Sequence, residues 1–97
     1  MKREATLEKK LVDKVEAVGG LCWKFTSPNT PGVPDRICIM PDGAVVFVEM
    51  KAEFGRLSNI QKYRREQLLE RKADIRVVKG KEALQEFIKE VQQRYAV

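Results

Sequence analysis

Gly32-Val33-Pro34-Asp35-Arg36 and Glu49-Met50-Lys51 fall within twenty residues of one another, bringing two carboxylates and an ammonium into one short stretch of chain. Between them lie two apolar segments, Ile37 to Met40 and Ala44 to Val48, joined by Pro41-Asp42-Gly43, and the pair reads as a β-hairpin. A three-residue loop, with Pro41 second in a type I turn and Gly43 left-handed, pairs Met40 with Ala44 and sets Asp35 opposite Glu49. Two ionised carboxylates at that range repel, and a divalent cation between them relieves the repulsion. Mg2+ suits such a site, with Mn2+ as a substitute, because it prefers carboxylate oxygen and keeps waters for a phosphate substrate. Residues i and i+2 of a strand project from the same face, so Lys51 points where Glu49 points. An ammonium there helps to activate an attacking water and to neutralise charge growing on a phosphorane. The Met50 side chain faces away, while its backbone carbonyl stays close enough to serve as a further oxygen ligand. The chemistry expected of this set is metal-dependent phosphodiester hydrolysis.

Composition narrows the field. Ninety-seven residues make one domain, 1–97, with one core. Nineteen Lys and Arg against 14 Asp and Glu give a net charge of +5, which suits a polyanion such as nucleic acid. The chain contains no histidine, which excludes an imidazole base, a Ser-His dyad and a Cys2His2 zinc site, so hydrolysis must rest on carboxylates, lysine and a hard metal. Cys22 and Cys38 lie in apolar runs without CxxC spacing and read as reduced core residues. The longest apolar run is too short to span a bilayer and the N-terminus lacks a signal-peptide core, so no membrane partner and a cytoplasmic location are expected.

Seven elements position these groups. Leu7, Leu11, Val15 and Val18 recur at helical spacing over Thr6 to Val18, and Gly19-Gly20 stops the helix. A strand over Leu21 to Phe25 leads into a loop, Thr26 to Pro34, that holds three of the four prolines. The hairpin strands run from Asp35 to Met40 and from Ala44 to Lys51. Both are apolar at successive positions, which predicts a sheet covered on both faces. Ser58 caps a second helix to about Arg71, with Ile60, Tyr63, Leu68 and Leu69 at roughly helical intervals. Ile75 to Val78 is a short strand, and Lys81 to Tyr95 a third helix with Leu84, Phe87, Ile88 and Val91 on one face. The order is αβββαβα, an α/β fold with a mixed sheet flanked by helices.

With Pro-Asp before one strand and Glu-x-Lys ending the next, the chain resembles the PD-(D/E)xK nuclease superfamily, the restriction-endonuclease-like core. Gly32-Val33-Pro34-Asp35-Arg36, Val46 to Ala52, Gly55-Arg56-Leu57-Ser58 and Gln61 together resemble, more narrowly, the VRR-NUC family of virus-type replication-repair nucleases, over nearly the whole chain. The resemblance implies metal-binding carboxylates at Asp35 and Glu49, a main-chain carbonyl ligand at Met50 and a catalytic lysine at Lys51. It further implies a glutamine beside the site at Gln61 and a metal-binding glutamate on the first helix. Glu8 is preferred for that last role over Glu4 because apolar residues surround it.

Each residue also has a plainer reading. Asp35 is an acceptable turn residue after Pro34, Glu49 and Lys51 an ion pair at a strand end, Gln61 a solvated helix residue, and Glu8 a surface partner for a nearby lysine. Against these stands the apolar run before Glu49, since a deeply buried sheet seldom carries a carboxylate without a partner. For contacts to DNA the sequence offers Lys24, Ser27 in the proline-rich loop, Arg36 and Arg56. A basic helix surface of Lys62, Arg64, Arg65, Arg71 and Lys72 is balanced by Glu66 and Glu70.

The expected function is a Mg2+-dependent DNA endonuclease without a small-molecule cofactor. Single-domain relatives of this kind resemble structure-selective enzymes of branched DNA such as Holliday junctions, and symmetric cutting of a four-way junction needs two sites, hence a homodimer. A flap or restriction-type nuclease on the same core, and a non-catalytic basic DNA-binding module, are the alternatives. No exposed apolar stripe for a protein partner is evident in the sequence.

Overall fold

The computed structural model describes residues 4–95, with side chains from residue 5 onward. In chain order the elements are α1 (Glu4–Ala17), β1 (Leu21–Lys24), β2 (Arg36–Ile39), β3 (Val45–Lys51), α2 (Asn59–Glu70), β4 (Asp74–Lys79) and α3 (Gly80–Tyr95). This is the αβββαβα order expected, with ends that differ by a residue or two. The four strands form one sheet in the order β1-β2-β3-β4. The first two pairings are antiparallel, and β3 pairs with β4 in parallel across the α2 crossover. No helix among the described residues is long and apolar enough to cross a membrane.

The β2–β3 hairpin adopts the register that its turn chemistry demands. Met40 N–H donates to Ala44 O and Gly43 N–H to Met40 O, both at 2.8 Å, and Gly43 sits at φ +88°, where a side chain would be strained. Arg36 therefore faces Val48 and Cys38 faces Val46. Carried one step further, the same register places Asp35, just ahead of β2, opposite Glu49.

The core lies on one face of this sheet. Leu7, Leu11 and Val15 of α1 and Leu84, Phe87, Ile88 and Val91 of α3 pack on Cys22, Cys38, Val46, Val48, Met50 and Val78. Cys22 and Cys38 are buried free thiols, cross-strand partners with Sγ atoms 3.6 Å apart.

The expectation that helices cover both faces is met only in part, since α2 lies on the second face but leaves much of it open. Alternation along the strands sends Leu21, Trp23, Ile37, Ile39, Val45 and Phe47 to the face opposite α1 and α3. There, α2 contributes no fully buried residue. Leu21, Trp23 and Val45 remain 43%, 56% and 42% exposed. Two cross-strand rows, Leu21–Ile39–Val45 and Trp23–Ile37–Phe47, so form an apolar sheet surface that α2 reaches only at Phe47. An exposed apolar patch is thus present where none was evident in sequence. The reason is geometric: α2 rests beside β4 and Phe47, and one helix, about 10 Å wide, covers only about two strands spaced about 4.8 Å apart.

Candidate active site

Asp35 and Glu49 are brought to the same sheet face from adjoining strands, on the side where α2 begins. Asp35 Oδ2 accepts the Met50 backbone N–H at 2.8 Å, which ties the aspartate to the end of β3. Its other oxygen has no protein donor among the described residues. A strand residue's N–H and C=O project to the same side, so the Met50 carbonyl opens towards Asp35 as well, while the Met50 side chain is wholly buried in the core.

Glu49 is 4% exposed, the one buried charged residue among those described. Removing a carboxylate from water is costly unless it is paired or hydrogen-bonded. Two groups serve Glu49 Oε2: Gln61 Nε2 donates at 3.3 Å, and Lys51 Nζ lies at 3.8 Å. Lys51 shares the face of Glu49, as the i, i+2 spacing requires, and its side chain is 20% exposed.

Gln61 reaches Glu49 because the start of α2 is fixed. Ser58 is the N-cap, its Oγ accepting Gln61 N–H at 3.2 Å, while Gln61 Oε1 accepts Ser58 N–H at 2.9 Å, a reciprocal capping box. The Ser-x-x-Gln spacing carries this signal, so the box could have been read from sequence; there, only the cap was recognised.

Gly32 locks the aspartate loop to this helix start. It sits at φ +85°, and a Cβ built there would lie 2.8 Å from both the carbonyl oxygen and Cγ1 of Ile60. Only glycine allows the loop before Pro34-Asp35 to approach the first turn of α2 so closely. Arg64 braces the same loop, its Nε donating to Pro31 O at 2.8 Å.

Other residues singled out from sequence lie apart. Glu8 Oε1 pairs with Arg36 Nε at 3.0 Å. Arg36 follows Asp35 and so projects to the opposite face, towards α1; Lys24, its partner across β1 and β2, projects there too. The structure therefore pairs Glu8 with Arg36, with Lys24 at a neighbouring register position on the same face, on the far side of the sheet from Asp35 and Glu49. The alternative on α1, Glu4, has a side chain outside the described residues. Ser27 is half-buried in its loop, where its carbonyl accepts Thr30 N–H at 3.0 Å, and Arg56 is exposed between β3 and α2. Among the described residues, no three His, Cys, Asp or Glu gather into a group able to hold a metal.

Arg65 is the residue whose place sequence reasoning missed. One turn beyond Gln61, it lines a small recess with Glu49, Gln61 and Pro34. Its Nε is buried without a hydrogen-bond partner. The i, i+4 spacing from Gln61 was the available signal.

By donor chemistry, two carboxylates and a main-chain carbonyl are oxygen ligands of the kind that a hard divalent cation such as Mg2+ takes.

No family model matches the chain. It is 50% identical over 50 residues to "Putative nuclease p44" of Acyrthosiphon pisum secondary endosymbiont phage 1, a match covering 52% of this chain and 54% of that protein. The chain thus spans about half the length of this curated relative. A solved structure described as "VRR_NUC domain" superimposes with a TM-score of 0.85 at 29% identity, over 92% of this chain and 97% of the other. The mixed sheet with Asp35 and Glu49 on one face superimposes closely on that domain, so the chain has the fold of a VRR-NUC domain, on a PD-(D/E)xK-like core, and resembles it in sequence.

Proposed function

We propose that the protein is a metal-dependent endonuclease that hydrolyses phosphodiester bonds in DNA, selects branched structures such as four-way junctions, and acts as a homodimer. The observation that carries the reading is Glu49: a buried carboxylate aligned with Asp35, on a core that superimposes on a VRR-NUC domain. A structural role gives no reason to bury one carboxylate beside another.

Asp35, Glu49 and the Met50 carbonyl would hold the cation. When bound, Mg2+ or Mn2+ supplies Lewis-acid polarisation of the phosphate and lowers the pKa of a coordinated water. The remaining work belongs to the chain. Lys51 presents its ammonium on the site's face, where it neutralises charge developing on the phosphate oxygens. Gln61, held by the helix cap, fixes the Glu49 carboxylate and offers an amide to orient a water. Glu8, paired with Arg36 on the opposite face of the sheet, stands outside this set and serves as a structural partner.

Two features support DNA and a second copy. The net charge of +5 favours a polyanion. The apolar rows of Leu21, Trp23 and Val45 form a surface of the kind that self-complementary interfaces bury, and one site per chain calls for two chains to cut a junction symmetrically.

The test is cleavage of a labelled four-way junction, a flap and a linear duplex with Mg2+, Mn2+ or EDTA, beside Asp35→Ala and Lys51→Ala. Metal-dependent cutting lost in both variants is expected, with the junction preferred and a dimer by sedimentation that Trp23→Arg dissociates. Junction binding without cutting in either metal would overturn the enzyme reading.

A further inference from the structure

Immediately beyond Lys51 the chain turns, and the turn carries a large apolar side chain out of the fold. Phe54 is 86% exposed. It stands in a tight turn closed by Gly55 N–H donating to Ala52 O at 2.9 Å. Gly80, at the start of α3, approaches the turn closely: a Cβ built on it would lie 3.2 Å from Glu53 Cα. Beside the ring opens a hollow of about 380 Å³, whose walls include Leu7, Ala52, Gly55, Gly80 and Lys81.

A single exposed apolar side chain is ordinary on a protein surface. Phe54 differs in its setting. Its turn is closed by a hydrogen bond, it stands three residues from the proposed catalytic lysine, a mostly apolar hollow adjoins it with Lys81 and Glu53 in its wall, and exposed Arg56 follows two residues on in the chain. An exposed aromatic face with Lys81 at the hollow beside it and Arg56 close in the chain suits a nucleic acid strand: a base stacks on the ring whatever its identity, and phosphates can meet the cations. A base inside an intact duplex has both faces covered by its neighbours, so only an unpaired or extruded base can use the ring.

Resting on the nuclease reading above, we propose that Phe54 stacks on an unpaired base next to the scissile phosphate, with the adjoining hollow receiving it. Phe54 is then the residue that favours DNA with splayed strands over continuous duplex.

The experiment measures binding by fluorescence anisotropy to a fork and to a blunt duplex, in Mg2+, with cutting silenced by Lys51→Ala. Phe54 is compared with Phe54→Ala, Phe54→Leu and Phe54→Tyr in that background. The ratio of fork to duplex affinity should fall about tenfold for Ala and Leu and hold for Tyr. In a scan of single abasic positions along the fork, one nucleotide should reproduce the loss with Phe54 and add nothing with Phe54→Ala. An equal ratio for all four proteins, a Leu variant as good as Tyr, or an abasic scan without such a position would each overturn the stacking role. Cutting by the unmodified protein would in those cases leave the nuclease reading standing. If the unmodified protein neither binds nor cuts any of the DNAs, both readings fall together.

Discussion

Gln61 ties Glu49 to the start of α2 with a single side chain, its Nε2 donating to Glu49 Oε2 at 3.3 Å while its Oε1 accepts the Ser58 N–H at 2.9 Å. The capping box leaves the amide no freedom to turn away, so the cap that starts the helix also aims the amide. Stability and activity are then separable. Ser58→Ala should destabilise the protein by about 1 kcal/mol through the lost cap while leaving the Gln61–Glu49 contact in place. Gln61→Ala loses its half of the cap and the contact as well, and its kcat should fall at least about tenfold further than that of Ser58→Ala. Thermal unfolding and single-turnover cutting of both variants make the comparison. Equal losses of kcat would assign the effect to the helix terminus rather than to the amide.

The approach of Gly32 to Ile60 yields a second prediction, with an internal control. Gly32 and Gly43 share nearly the same positive φ, +85° and +88°, but a Cβ at Gly32 meets the Ile60 carbonyl at 2.8 Å whereas one at Gly43 meets nothing within 4 Å. Gly43→Ala should cost only the left-handed strain, about 1–2 kcal/mol, and keep activity. Gly32→Ala should cost clearly more, because the aspartate loop must move off α2, and that movement carries Asp35 away from Glu49. Denaturant midpoints and cleavage rates of the two variants test this. Matching losses would mean that the approach to Ile60 is not what holds the loop.

The hairpin was legible in sequence because its information is local. Pro41-Asp42-Gly43 sets the turn, the turn sets the register, and the register sets Asp35 opposite Glu49. The position of Lys51 followed from strand alternation in the same way. The cover of the sheet was not legible. Apolar residues at successive strand positions are compatible with a face buried by helices and with one left open, and only the placement of α2 beside β4 distinguishes them. For the same reason Ile60, Tyr63 and Leu69 looked like a core stripe yet stand 39%, 51% and 44% exposed. Glu8 was placed by helix phase, which says which side of α1 it occupies and nothing about which sheet face α1 covers. Its partner, Arg36, adjoins Asp35 in sequence and lies across the sheet from it in space.

Away from the site, the structure assigns an acid-sensitive contact between β4 and α3. Arg76 donates to both oxygens of Glu90, NH1 to Oε1 at 3.0 Å and NH2 to Oε2 at 2.8 Å, and its Nε donates to Asp74 Oδ1 at 2.6 Å. The guanidinium also lies over the Phe87 ring, 5.7 Å from its centroid. Hydrogen bonding from Arg76 holds the Glu90 carboxyl below its ordinary range, outweighing the cost of desolvation, and the charges of Arg76 and Arg94 act in the same sense. A carboxyl with a depressed folded value stabilises the protein above the unfolded value, about 4.3 for glutamate, and that contribution disappears as the pH falls through the folded value. The Glu90 side chain is 54% exposed, so the contribution is at most about 1 kcal/mol. Glu90→Gln should therefore melt slightly below the unmodified protein near neutral pH, and the gap should close on acidification below about pH 4. Cutting at neutral pH should be unchanged, since Glu90 approaches neither Asp35 nor Glu49. Melting curves of the two proteins from neutral to acidic pH give the answer directly. A gap that stays constant through the acidic range would show that Glu90 contributes by packing and not by its charge.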